Sequence, residues 1–134
     1  MLTGSCFCSK VSYELEGSLQ NGRACHCSRC RKVFGGASSA YAELFPGSEI
    51  KWNDGECLVT FESGDGWAIG FCGSCGSTLC GLLNGQVHGL TLGCVDGDPG
   101  VKIEMHIFAG SKAPWDHIGG TAPQFNERPF NAET

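Results

Sequence analysis

Ten cysteines stand in this chain of 134 residues, and seven of them fall into three tight groups. Cys25-His26-Cys27-Ser28-Arg29-Cys30 places three thiols within six residues, with Cys6-Phe7-Cys8 before it and Cys72-Gly73-Ser74-Cys75 after it. A packed core has no use for thiols at such spacing. A soft metal ion does, because thiolates converging on one point are how proteins hold zinc. Tetrahedral zinc takes four ligands, so seven sulfurs divide into one closed set and one set that is a ligand short. A zinc position left open by the protein belongs to a catalytic or ligand-exchanging site.

Closed sites usually draw two short pairs from distant segments. Cys6 and Cys8 pair naturally with Cys72 and Cys75, a cross-link that closes a long loop and helps a small domain. Cys25, Cys27 and Cys30 are then the open set, although spacing also permits the knuckle to share Cys72 or Cys75. Cys57, Cys80 and Cys94 sit in or beside apolar runs and read as small buried hydrophobes. The alternative is that one of them completes the second set and closes it. Tight Cys-x-Cys and Cys-x-x-Cys spacings, with no charged and apolar leader at the N-terminus, favour metal over disulfides. The expected compartment is the reducing cytoplasm.

Other side chains are candidates by position. His26 lies between two candidate ligands and is placed for general-base work, but thiolates pointing inward leave its ring facing away. His88 and His106 alternate with apolar residues and are expected to face solvent or a satisfied partner; His117 lies in a loop. Trp115 is expected to seal the sheet, with cover over a pocket as the alternative. Arg29, Arg31 and Lys32 form the one local concentration of basic charge. They are either a solvated loop or charges that offset the thiolates and grip the carboxylates of an anionic thiol.

These groups must be positioned by strands. Val11, Tyr13 and Leu15 alternate with polar residues, the mark of a half-buried strand. Asn21-Gly22 reads as a turn that sets the triple-cysteine knuckle at the end of a hairpin-like excursion. Arg31-Lys32-Val33-Phe34 makes one helical turn before Gly35-Gly36 stops it. Ala40–Leu44 is a strand, and Asn53-Asp54-Gly55 between Ile50–Trp52 and Leu58–Phe61 has hairpin chemistry. Trp67–Phe71, Gln86–Leu92 and Val101–Phe108 read as further strands, the last with Val101, Ile103, Met105 and Ile107 on one face. The stretch 114–134 carries three prolines and no periodicity, an ordered wrap or loop.

Composition agrees. A hydrophobic fraction of 41% and a charged fraction of 17% describe a globular chain, and 21 glycines spread between apolar runs suit a β-rich one. The expectation is one domain over residues 1–134. A net charge of -5 with scattered basic residues gives no surface for nucleic acid. No apolar run approaches the roughly 20 residues of a membrane span.

Gly4-Ser5-Cys6-Phe7-Cys8, the Cys25–Cys30 knuckle and Phe71-Cys72-Gly73-Ser74-Cys75-Gly76 occur in the order seen in one known family. With His106-Ile107-Phe108-Ala109, Ser111-Lys112-Ala113-Pro114-Trp115 and Pro123-Gln124-Phe125, the chain resembles the glutathione-dependent formaldehyde-activating (GFA) family, which includes the centromere protein V-like domain. That resemblance implies a mainly β, zinc-pinned β-tent fold with few helices. It implies two zinc ions: a structural one on Cys6, Cys8, Cys72 and Cys75, and a functional one on Cys25, Cys27 and Cys30. It further implies a carbon–sulfur lyase-type activity on a small thiol such as glutathione and formaldehyde or a related carbonyl, with the three cysteines as ligands and not nucleophiles. Members of the family commonly carry a basic residue where this chain has Ile69-Gly70. The rival expectation is a non-catalytic zinc module for protein interaction, a further use of the same fold; a third is zinc storage or transfer.

Overall fold

The structure, a computed structural model, describes residues 1–129. The last part of the irregular stretch read from the sequence, 130–134, lies outside the described residues. The described chain forms β1 (Leu2–Ser5), β2 (Ser12–Glu16), β3 (Leu19–Cys25), α1 (Ser28–Phe34), β4 (Ser39–Leu44), β5 (Glu49–Asn53), β6 (Leu58–Glu62), β7 (Trp67–Cys72), β8 (Thr78–Leu83), β9 (Gln86–Thr91), β10 (Val95–Asp96) and β11 (Met105–Ile107). Two sheets result, one in the order β10-β1-β2-β5 and one in the order β11-β3-β4-β9-β8-β7-β6. The fold is mainly β, as the cysteine-rich, glycine-rich sequence implies. No helix among the described residues is long and apolar enough to cross a membrane.

One core is shared by both sheets. In β2 the alternation puts Tyr13 and Leu15 inside, at 1% and 0% exposure, while Glu14 and Glu16 stay in water. Val11, Leu79, Cys80, Leu90 and Ala42 meet them in a single cluster. Each such large side chain contributes about 1.5–3 kcal/mol when fully buried. Gly4 lies opposite Tyr13 across β1 and β2, and a Cβ there would run into the tyrosine ring. Glycine at this position is what lets the ring lie flat against the strand.

Two turn signals do different work from that expected. Asn21-Gly22 does not reverse the chain; it forms a bulge inside β3, where pairing with β4 slips between Gln20 and Arg23. Asn21 takes the positive φ of 55° that its type tolerates, and the bulge uses this conformation where a turn would have done. The knuckle still sits at the end of a hairpin-like excursion, because β3 and β4 are antiparallel and α1 joins them. Asn53-Asp54-Gly55 makes no hairpin either. β5 pairs with β2 in the smaller sheet, while β6 is the edge strand of the larger. Asp54 at φ 54° and a 3-10 turn over Gly55–Cys57 redirect the chain between sheets, and Trp52 anchors β5 edge-on against Tyr13 at 5.3 Å.

Helix α1 is longer than the single turn read from Arg31–Phe34. It begins at Ser28 because Cys27 acts as its N-cap, its sulfur accepting from the Cys30 backbone N–H, and Gly35 closes it at φ 63°. The strand read over Val101–Phe108 shrinks to Met105–Ile107, parallel to β3. Its preceding residues leave the sheet, although Val101 still packs on the core. Beyond it the irregular tail runs as an ordered wrap: His106 N–H donates to the Pro123 carbonyl, and Phe125 N–H donates back to that of His106.

Candidate metal centre

Two segments bring the first sulfur set together. Cys6 and Cys8 lie between β1 and β2, Cys72 ends β7, and Cys75 lies in the turn to β8. The Cys6 and Cys8 sulfurs are 3.7 Å apart, and those of Cys8 and Cys72 are 3.8 Å apart. All four Sγ atoms lie within 4.8 Å of one another. A tetrahedral ion with Zn–S bonds of about 2.3 Å holds its sulfurs about 3.8 Å apart, so the set has the size zinc requires. Donors favour thiolate at Cys72 and Cys75, whereas Cys8, despite a lowering backbone bond from Lys10, is carried up to about 11 by burial and its neighbouring thiols. Val11 N–H donates to the Cys6 sulfur, and the N–H groups of Ser74 and Cys75 donate to that of Cys72. The Ser77 hydroxyl, followed by backbone donors, holds the Cys75 thiol down at about 5.

Cys25, Cys27 and Cys30 form the second set, again within 4.8 Å of one another. Cys25 ends β3, Cys27 caps α1 and Cys30 lies in its first turn, so one strand-to-helix junction supplies all three. Hydrogen bonds from the Cys25 and Cys30 thiols pull Cys27 down to about 2, and Cys25 is pushed strongly up by its bonds with Cys27 and Cys30. Three adjacent thiols share one negative charge readily. Ionising all three needs a cation, and these donors fit zinc. No fourth histidine, cysteine or carboxylate joins this set among the described residues.

The structure therefore keeps the two sets apart, and the knuckle does not share Cys72 or Cys75. It also removes the alternative in which a remaining cysteine closes the second set. The Cys57 sulfur lies 4.0 Å from that of Cys72, beside the first set. Cys80 is 1% exposed in the core, where burial pushes its thiol up to about 12. Cys94 donates to the Thr78 carbonyl.

His26 is buried at 3% exposure and joins neither sulfur set. Its Nε2 shares a hydrogen bond of 2.9 Å with His106 Nδ1, and its Nδ1 is 4.0 Å from an Asp116 carboxylate oxygen. Burial, with His106 adding to it, lowers its pKa and keeps the ring neutral. His88 packs edge-on against Trp67 and approaches Glu43, while His117 is exposed. Trp115 does not seal the sheet: it is 70% exposed, and the neighbouring Ala113 is the residue buried there. Arg29 and Arg31 are not waiting for a ligand. Arg29 donates to Asp65 and Ser63, and Arg31 to the carbonyls of His26 and Ser111.

Sequence reading passed over the polar residues beside the open set. Arg23 and Cys25 alternate along β3, and Tyr41 and Ser39 face them from β4. Only the strand register, set by the α1 connection, brings these four onto one face.

A family model for the glutathione-dependent formaldehyde-activating enzyme matches residues 1–111. Comparison with curated proteins gives no match. Among solved structures, one of a Rhodobacter sphaeroides protein is similar at 26% identity and a TM-score of 0.54, covering 72% of this chain and 89% of that one. Since the matched stretch holds both cysteine sets and every strand between them, the chain belongs to the glutathione-dependent formaldehyde-activating enzyme family.

Proposed function

We propose that this protein is a zinc-dependent carbon–sulfur lyase-type enzyme that binds a small thiol of the glutathione kind at Cys25, Cys27 and Cys30. It forms or cleaves the adduct of that thiol with formaldehyde or a related carbonyl. The observation that carries the reading is the contrast between the two sets: four sulfurs within mutual reach in one, three in the other. The four-sulfur set is a staple between the β1–β2 loop and the β7–β8 turn. The three-sulfur set has no fourth protein ligand among the described residues.

Zinc bound at the second set would hold a coordinated thiol as its thiolate at neutral pH, and so supply the nucleophile. The chain contributes the rest. Cys27, as the N-cap of α1, fixes the knuckle to a rigid helix start, and Arg31 ties the same knuckle to the Ser111 carbonyl. His26 clamps it from behind through His106. Reacting groups held this way gain from orientation more than from any single contact. The uncatalysed addition of glutathione to formaldehyde gives the assay its baseline. Exchange between free and adduct methylene signals, followed by NMR, should be accelerated by the zinc-loaded protein and not by Cys27→Ser. Equal exchange with and without the protein would instead favour the non-catalytic zinc module.

A further inference from the structure

The larger sheet buries an ion pair on the same face as the open cysteine set. Arg23 Nη2 lies 2.8 Å from Glu43 Oε2, with the two side chains 4% and 10% exposed. Asn21 Nδ2 donates to the other carboxylate oxygen, and Arg23 Nε donates to the Asn21 carbonyl. A buried ion pair is a poor source of stability, because desolvating both charges costs about as much as their attraction returns. Its presence here calls for a use.

The strand register supplies one. Arg23 stands opposite Tyr41, and Cys25 opposite Ser39, across β3 and β4. Residues opposite one another share a face, as do residues two apart along a strand, at about 7 Å. These four therefore make a square, with a cysteine of the open set at one corner and Tyr41 diagonal to it. The Arg23 guanidinium lies over the Tyr41 ring, 5.9 Å from its centre. Ser39 is 1% exposed, and its hydroxyl has no hydrogen-bond partner among the described residues. Burial raises the Tyr41 phenol to about 12; Arg23 pulls against this, while the Cys25 and Cys30 thiols add to it. At neutral pH the phenol is an intact O–H donor.

Building on the function proposed above, we infer that Tyr41 is a catalytic hydrogen-bond donor to the carbonyl oxygen of the substrate. Glu43 and Arg23 act as positioning residues that hold its ring. As the substrate sulfur forms its bond to the carbonyl carbon, the C=O π pair moves onto oxygen. The phenol gives that oxygen its proton, which completes the hydroxymethyl thioether. Tyr41 is restored by a proton from water, and the hydroxide left behind is neutralised by the proton that the thiol shed on ionising. The sum is thiol plus aldehyde to adduct; cleavage is the reverse.

The chain has two tyrosines, so protein carrying carbon-13 at the tyrosine ζ position gives two NMR signals, and Tyr41→Phe assigns them. On titrating the zinc-loaded protein with glutathione and then formaldehyde, the Tyr41 signal should move and that of Tyr13, in the core, should stay. Tyr41→Phe should keep zinc content, glutathione affinity and melting temperature, and lose about 10²-fold in kcat for adduct formation, with KM little changed. A wild-type protein that binds glutathione and accelerates the adduct, beside a Tyr41→Phe protein of equal kcat, would overturn this inference and leave the proposed function standing. A wild-type protein that does neither would overturn both.

Discussion

His26 Nε2 and His106 Nδ1 share a hydrogen bond of 2.9 Å, and through it the strand end that carries Cys25 is tied to the C-terminal wrap. The two residues are 80 positions apart, and the β3–β11 pairing joins their segments over three residues. His106→Ala leaves a buried ring nitrogen of His26 without its partner. It should lower stability by about 1–3 kcal/mol in denaturant titration, with zinc content intact. His26→Phe with His106→Phe should cost less than the single change, because neither polar group is then stranded. A single variant as stable as the parent would show the bond to be incidental.

The two cysteine sets should respond differently to the loss of one sulfur. Cys6→Ser opens the set that staples two distant loops, and structural zinc sites of this kind carry on the order of 10–16 kcal/mol of apparent binding energy. That is comparable with the whole stability of a domain, roughly 5–15 kcal/mol. The variant should lose its folded circular dichroism and most of its metal. Cys27→Ser should stay folded and retain about one zinc per chain by elemental analysis. Folded Cys6→Ser protein, or unfolded Cys27→Ser protein, would reverse the assignment.

Both tyrosines ionise late. Tyr13 is raised by burial first and by nearby acidic groups second, and Tyr41 is carried from 10.0 to about 12. The folded phenols keep protons that the unfolded chain gives up near pH 10. Their contribution is therefore complete below pH 10 and is lost as pH rises towards 12 and beyond. Tyrosinate absorbance should appear together with unfolding, not before it. Two tyrosines titrating near pH 10 in folded protein would contradict the burial described.

The short cysteine groups were legible in the sequence because Cys-x-Cys and Cys-x-x-Cys spacing is a local property, whereas which groups would meet was left open by spacing and is seen in the fold. Strand β2 was legible for the same reason, through the alternation of Tyr13 and Leu15. Asn21-Gly22 and Asn53-Asp54-Gly55 announced a positive φ correctly but not its use, since a bulge, a crossover and a hairpin ask for the same conformation. β1, β3, β8 and β10 escaped notice; Gly4, Cys80 and Gly81 break their patterns, Asn21-Gly22 interrupts β3, and β10 has two residues. The square of Arg23, Cys25, Ser39 and Tyr41 depends on register between two strands. Nothing within either strand reports that register.

The central claim is that the Cys25, Cys27 and Cys30 set leaves a metal position that a thiol can fill. Cobalt in place of zinc makes it visible, because sulfur-to-cobalt charge transfer and the ligand-field bands report every sulfur bound. Titrating glutathione into the cobalt-substituted protein should change those bands to saturation, and the change should be absent in Cys27→Ser. A flat titration with both sites filled would contradict the account, since it would mean a second site that takes no thiol.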